Sequence, residues 1–243
     1  MKPEIYLSII IPAYNEEKRI NNILSAILEY SKTTNFTFET IVVIDASPDD
    51  TIGVVKNYLS KIPNLTIIEG TVNKGKGKAI QEGINAAKGE FILFADADNS
   101  TPIEQIDKLL EYAKEYNVVI ASRYCEGGKL VIPQTFYRLL GGRAINLIIQ
   151  TLVLPGIRDT QCGFKLFKRE LAVKIFNQMT LNRWSFDIEI LAMARLFGEK
   201  IKEVGVVWQD NPHSTLHPLK DGYQMIKDAW RVRINLQMKV YRD

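Results

Sequence analysis

Five short apolar runs set the frame of the first half of the chain: Leu7 to Ile11, Thr40 to Ile44, Leu65 to Ile68, Phe91 to Ala95 and Val118 to Ala121. They are continuous rather than alternating. Strands of this kind are buried on both faces, as in a mostly parallel sheet covered by helices. Helix-start signals fall between them. Asn15-Glu16-Glu17 opens one helix, and Ser47-Pro48-Asp49-Asp50 and Thr101-Pro102-Ile103-Glu104 each place a hydroxyl, then proline, then a carboxylate three residues on. The rhythm of strand, loop, capped helix and strand predicts a doubly wound α/β fold. In such sheets ligands sit beyond the carboxyl ends of the strands, so the residues just after each strand are the ones to inspect.

The second half is less regular. Phe136 to Leu154, Ser185 to Phe197 and Pro218 to Val240 read as helices, and Ile201 to Trp208 as a strand. A strand arriving after helical segments predicts a mixed sheet with an appended region on the acceptor side. The division expected is a catalytic domain over 1–210 and a helical extension over 211–243.

Bulk properties exclude several functions. Lys plus Arg total 31 against 28 for Asp plus Glu, a near balance that gives no reason to expect nucleic acid. Cys125 and Cys162 form no CxxC pair, and free thiols in a reducing compartment are expected. The opening Met-Lys-Pro-Glu-Ile-Tyr lacks a signal-peptide pattern. The most apolar run, Ala144 to Ile157, is interrupted by Asn146, Gln150 and Thr151 and falls short of the ~20 residues of a membrane span.

Polar clusters follow four of the strands: Pro12-Ala13-Tyr14-Asn15-Glu16, Asp45, Asp96-Ala97-Asp98 and Ser122-Arg123-Tyr124. The Asp96 and Asp98 pair is the sharpest. Two carboxylates two apart at a strand end can share one divalent cation, and Mg²⁺ commonly combines one or two carboxylates with substrate phosphates. Such an ion would make a diphosphate a better leaving group. The competing reading is a turn that caps the next helix. Asn73-Lys74-Gly75-Lys76-Gly77-Lys78 matches neither GxxxxGK[ST] nor GxGxxG; it reads as a basic turn whose lysines can meet phosphate. His213 and His217 have i, i+4 spacing, but Pro212 and Pro218 argue against a helix there. No Ser-His-Asp or Cys-His set points to acyl chemistry.

Taken together, these segments resemble the family 2 inverting glycosyltransferases of GT-A fold. Ser8-Ile-Ile-Ile-Pro-Ala-Tyr-Asn-Glu16 is similar to that family's opening motif. Val43-Ile-Asp-Ala-Ser-Pro-Asp-Asp-Thr51 is similar to its VDDGSxDxT segment, with Ile44 for the first Asp and Ala46 for Gly. Arg158-Asp-Thr-Gln-Cys-Gly-Phe-Lys165 and Arg183-Trp-Ser-Phe-Asp-Ile-Glu189 resemble dolichyl-phosphate β-glucosyltransferases more than the related mannose synthases. After Trp208 the likeness fades: His213-Ser-Thr-Leu216 stands where those enzymes carry a Gly-Ser-Lys-Leu-like stretch.

The resemblance implies a Rossmann-like GT-A domain with a mixed, mostly parallel central sheet and C-terminal acceptor-side helices. It implies transfer of glucose, with inversion, from UDP-glucose to dolichyl or another polyprenyl phosphate. The alternatives are GDP-mannose as donor, a soluble acceptor, or a non-catalytic nucleotide-sugar module. By position, Pro12, Tyr14, Glu16, Asp45, Lys76 and Asp96 are expected around the nucleotide sugar, with Asp96 and Asp98 at Mg²⁺ or Mn²⁺. Arg123 and Arg138 are expected to receive the lipid phosphate, and Asp159 to orient or deprotonate the acceptor. The enzyme is expected on the cytoplasmic face of a membrane, attached peripherally. The attaching surfaces would be the apolar face of the first long helix (Leu139, Leu140, Ile145, Ile148, Ile149 and Leu152) and the final helix. In the latter, Met225, Ile226, Ala229, Trp230, Ile234 and Leu236 accompany Lys227, Arg231, Arg233 and Lys239. The competing reading packs both helices on the core or on a second subunit.

Overall fold

The apolar runs become the strands β1 (Leu7–Ala13), β2 (Phe38–Ile44), β3 (Leu65–Glu69), β4 (Phe91–Ala95) and β5 (Val118–Ser122) in a computed structural model of the chain. The structure describes residues 4–131, 136–209 and 218–242, with 136–140 and 218–221 as backbone only. Thus Arg138, Leu139 and Leu140 lie in a described helix but their side chains lie outside the described residues, as do His213 and His217 entirely.

Among the described residues, seven strands form one sheet in the order β3-β2-β1-β4-β7-β5-β8, where β7 is Phe164–Lys168 and β8 is Ile201–Gly205. All neighbours pair in parallel except β7, which runs antiparallel to both β4 and β5. The mixed character therefore comes from β7, not from the late strand β8. The expected strand Ile201 to Trp208 is broken after Gly205. Its last residues form β9 (Val207–Trp208), which pairs with the short β6 (Lys129–Leu130) outside the main sheet.

Side-chain alternation sends each strand into two cores. Ile9, Ile11, Val42, Leu93, Val119 and Leu166 face one layer, while Ile10, Val43, Phe94, Ile120 and Phe167 face the other. The first layer is covered by α1 (Ile20–Tyr30), α2 (Thr51–Lys56) and α4 (Ile106–Leu110). The second is covered by α3 (Lys76–Ala86), α6 (Arg169–Phe176) and α7 (Phe186–Leu196), with α5 (Phe136–Leu152) and α8 (Pro218–Gln237) beyond. Helix α1 shows how sequence selects its place. Ile20, Ile23, Leu24, Ile27 and Tyr30 recur at helical spacing and all are buried. In the second core Phe94 meets the rings of Phe167, Phe176 and Phe186. Truncating it to Ala would cost about 3–5 kcal/mol.

The helix starts differ in detail from the sequence signals. Asp50, not Ser47, caps α2, accepting from Gly53 N at 3.2 Å. Thr101 makes no cap; Ile103–Gln105 is a 3-10 turn leading into α4. Of the α5 face expected on a membrane, Ile149 is fully buried and Ile145 and Leu152 pack on the second core. In α8, Ala229 and Val232 are buried and Met225 and Leu236 pack inward, whereas Trp230 and Ile234 stay exposed. The α8 end is fixed by Tyr241. Its hydroxyl donates to Glu189 of α7 at 2.7 Å, and Glu189, fully buried, also accepts from Thr180 N, Thr180 Oγ1 and Leu181 N.

Candidate active site

Because β1, β2, β4 and β5 all run the same way, the four polar clusters that follow them share one edge of the sheet. The loops after β1 and β2 are stitched together by side chains. Asn15, at φ 59°, donates its amide to Ser47 Oγ at 2.7 Å, Glu16 N to Thr51 Oγ1 at 2.9 Å and Glu17 N to Asp49 Oδ2 at 3.0 Å. Ser47 thus ends as a clamp on the neighbouring loop. Pro12 is half-buried at the end of β1, and Tyr14 beside it is exposed.

Asp45, nearly buried, accepts from the amides of Lys74 at 2.8 Å and Gly75 at 2.7 Å. It fixes the segment read as a basic turn, which is the start of α3. Gly75 precedes the helix at φ 97°, and a Cβ there would stand 2.6 Å from Asn182 O. Gly77 N donates to the same carbonyl at 2.9 Å, so the glycines admit a backbone from elsewhere in this chain. Lys76 turns inward. Its ammonium pairs with Asp96 and lies 5.3 Å from the ring centre of Trp184. Burial opposes its charge, but Asp96, Asp187 and Asp98 outweigh it and raise its pKa.

Three carboxylates gather here. Burial, with Asp98 and Asp96 adding to it, pushes Glu16 up to about 7, although Arg19 holds it at 2.5 and 2.8 Å and pulls the other way. Burial and then Asp96 also raise Asp98, which accepts from Ser100 N at 3.0 Å. Asn99 next to it has φ 56° and a buried Oδ1 without a hydrogen-bond partner. Among the described residues no three His, Cys, Asp or Glu side chains converge as a complete ligand set.

The second centre lies past β5. Arg123 Nε and Nη2 donate to Asp159 Oδ2 and Oδ1 at 2.7 and 2.9 Å, and the Arg123 amide adds a third bond at 2.9 Å. Asp159 is 1% exposed. Burial works against its ionisation, yet the Arg123 guanidinium holds its carboxyl below the usual carboxylate range. Glu203 of β8 accepts the amides of Arg158 and Asp159 at 2.8 and 3.0 Å and so fixes the loop. The Arg123 guanidinium lies 5.2 Å from the Tyr124 ring centre and 5.1 Å from that of Trp208, and Arg143 of α5 lies 5.7 Å from the Tyr124 ring. The neighbours Trp208 and Arg143 carry no motif and were not legible beforehand. Nor was the buried pair of Lys165 and Asp187, although both stand in the quoted segments. A separate cleft of about 610 Å³, lined by Lys108, Glu111, Arg158, Lys202 and Glu203 among others, contains none of the expected site residues.

Comparisons with known proteins place this arrangement. Fold and site define a glycosyltransferase: residues 8–176 match the model of glycosyl transferase family 2. The chain is 34% identical over 251 residues to the dolichyl-phosphate beta-glucosyltransferase of Dictyostelium discoideum, covering 98% of this chain and 77% of that one. It is 34% identical to the Homo sapiens protein of the same name, over 99% and 78% of the two chains. In fold it is similar to glucosyl-3-phosphoglycerate synthase from Mycobacterium tuberculosis, solved with Mn²⁺, uridine diphosphate and glucosyl-3-phosphoglycerate. The TM-score is 0.65 at 19% identity, over 98% of this chain and 80% of that one. The chain belongs to glycosyl transferase family 2, with the GT-A fold of its structural neighbours.

Proposed function

We propose that the protein transfers glucose from UDP-glucose to dolichyl or another polyprenyl phosphate, inverting the anomeric centre to give a β-linked product. The observation that carries this reading is the length of the likeness to dolichyl-phosphate beta-glucosyltransferases. It spans 98% of the chain, beyond the family match that ends at residue 176, and so includes β8, β9 and α8.

The residues suit the chemistry. Asp96 and Asp98 would hold Mg²⁺ or Mn²⁺ together with the donor diphosphate, and the surplus of negative charge from Glu16, Asp96 and Asp98 fits a cation there. The ion, when bound, supplies neutralisation of the leaving diphosphate. Pro12, Tyr14 and Asp45 line the loops that would surround base and ribose. The acceptor phosphate, with a second pKa near ~6 by analogy with phosphoserine, is largely dianionic at neutral pH and needs little help from a base. The low pKa of Asp159 agrees with this: it orients Arg123 rather than removing a proton. Bidentate pairing through Nε and Nη2 leaves Arg123 Nη1 and one Nη2 hydrogen to donate to phosphate, with Arg138 and Arg143 of α5 as further cations.

The protein would meet its lipid from the cytoplasmic side as a peripheral enzyme. No described helix is long and apolar enough to cross a membrane, but Tyr223, Trp230 and Ile234 of α8 and the following Met238 are exposed beside Lys227 and Arg231. The deciding experiment offers UDP-glucose and GDP-mannose, each with a short polyprenyl phosphate and Mg²⁺ or Mn²⁺. Glucosyl phospholipid with a β anomeric signal is the expected product. Product from GDP-mannose only, or transfer only to a soluble acceptor, would overturn the reading.

A further inference from the structure

Strand β7 enters the sheet between β4, which ends just before Asp96 and Asp98, and β5, which ends just before Arg123. The residues leading into it therefore touch both centres. Asp159 holds Arg123. Gly163 O accepts the Asp96 amide at 3.1 Å, and a Cβ at Gly163 would collide with the Asp96 carboxylate.

Lys165 follows, and it occupies a core position. In register it lies opposite Phe94 on one side and Ile120 on the other, and it is fully buried. Its ammonium lies 5.4 Å from the Phe94 ring centre, donates to Cys162 O at 2.6 Å and pairs with Asp187 of α7, itself 3% exposed. The start of α7 abuts the start of α3. A Cβ on Gly77 would stand 2.8 Å from Phe186 Cβ, and Lys76 lies over Trp184. Asp187 follows Phe186 and Lys76 precedes Gly77, so the Lys165–Asp187 and Lys76–Asp96 pairs stand side by side where the two helix starts abut.

Stability is a poor reason for such a pair. Desolvating two charges roughly cancels their attraction, and well-packed apolar replacements of buried pairs are often neutral or stabilising. What the pair does supply is a fixed negative charge behind Lys76 and a fixed bond to the segment that carries Asp159.

We propose that Lys165 and Asp187 are positioning residues: they hold Lys76, and through it Asp96, in the geometry that receives the donor diphosphate, and tie that geometry to the Asp159 segment. The proposal rests on the nucleotide-sugar reading above. Asp187 orients the Lys76 ammonium from the protein side, and Lys165 makes the burial of Asp187 tolerable.

The test is a double-mutant cycle between position 187 and Lys76, read by calorimetry as affinity for UDP and for GDP with Mn²⁺, and by kcat/KM. Asp187→Asn, which leaves the buried Lys165 uncompensated and is expected to lower the melting temperature, and separately the double change Lys165→Met with Asp187→Leu, which is expected to leave it within a few degrees, should each weaken nucleotide binding at least roughly tenfold. In a Lys76→Met background the same changes should weaken it less than about twofold further, because their route of action is already gone. Additive losses, or full affinity in the apolar variant, would overturn the proposal. So would loss of the fold in both variants, since the pair would then be structural. Nucleotide binding by the wild-type protein without transfer to polyprenyl phosphate would count against the lipid acceptor alone and leave the cycle readable. Absence of nucleotide binding in the wild-type protein would refute the donor reading itself.

Discussion

Arg123 and Asp159 meet through both carboxylate oxygens, at 2.7 and 2.9 Å, and the Arg123 amide closes a third bond on the same carboxylate. The guanidinium is held by this pairing and lies over the rings of Trp208 and Tyr124. A locked, charged fork is suited to an anion that arrives later.

Asp159→Asn should uncouple this lock. Removing one partner of a buried pair leaves the other charge uncompensated, and about 3–5 kcal/mol of stability is expected to go. The KM for acceptor should rise more than the KM for donor. Wild-type kcat and acceptor KM in this variant would remove Asp159 from the mechanism. The pair also has a pH signature. Asp159 ionises more readily folded than unfolded, so its stabilisation is present above the ordinary carboxylate pKa and is lost as pH falls through the lower folded value. Thermal melts below about pH 4 should show that loss, and Asp159→Asn should lack it.

Glu16 predicts the opposite slope. Its folded pKa is raised to about 7, so the folded state keeps a proton that the unfolded chain has released. Stability is full below about pH 4.5 and declines as pH rises towards 7. Glu16→Gln should flatten that decline, measured in chelator. Mn²⁺ should flatten it too, by neutralising the cluster. A slope identical in variant and wild type would discard the assignment.

Asp98→Ala should fold normally and lose on the order of 10²- to 10³-fold in kcat, the scale of charge stabilisation by a bound cation. Full turnover of this variant in chelator would contradict the metal role. Arg143→Ala, by contrast, should leave donor KM unchanged and raise acceptor KM several-fold, since the side chain lies against Tyr124, beside the Arg123 proposed to receive the acceptor phosphate.

Much of the fold was readable because β1 to β5 are buried on both faces and carry unbroken apolar runs. Strand β7 was not, since Phe164-Lys-Leu-Phe-Lys168 places a lysine where the core should be. Asp187, 22 residues away in sequence, and the Cys162 carbonyl make that position tolerable. The start of α3 was hidden for a similar reason: its first amides are satisfied by Asn182 O, more than a hundred residues away in sequence. At the site, the strand-end acids were legible from position alone. Their cationic counterparts depend on side-chain rotation and on neighbours remote in sequence, which spacing does not encode.

Tyr241→Phe separates packing from chemistry. It removes one donor from the fully buried Glu189 carboxylate, at a cost of about 1–3 kcal/mol. The melting temperature should fall while both KM values stay put. Exposed Trp230 and Ile234 give the complementary test on the outer face of α8. Their joint change to Ala should abolish flotation with anionic liposomes at low salt and leave the melting temperature unchanged. Flotation as strong as that of the wild-type protein would exclude this face as the lipid contact.

The late arrival of β7 shapes how the chain can be built. Until residues 164–168 emerge, β4 and β5 have no strand between them, and each presents an open hydrogen-bonding edge. The unit β1 to β4 can assemble early from near neighbours, but β5 must wait about 40 residues for β7 to join it to the rest. During synthesis those waiting edges are the places where two nascent chains would pair wrongly, and the two candidate centres come together only when β7 closes the gap.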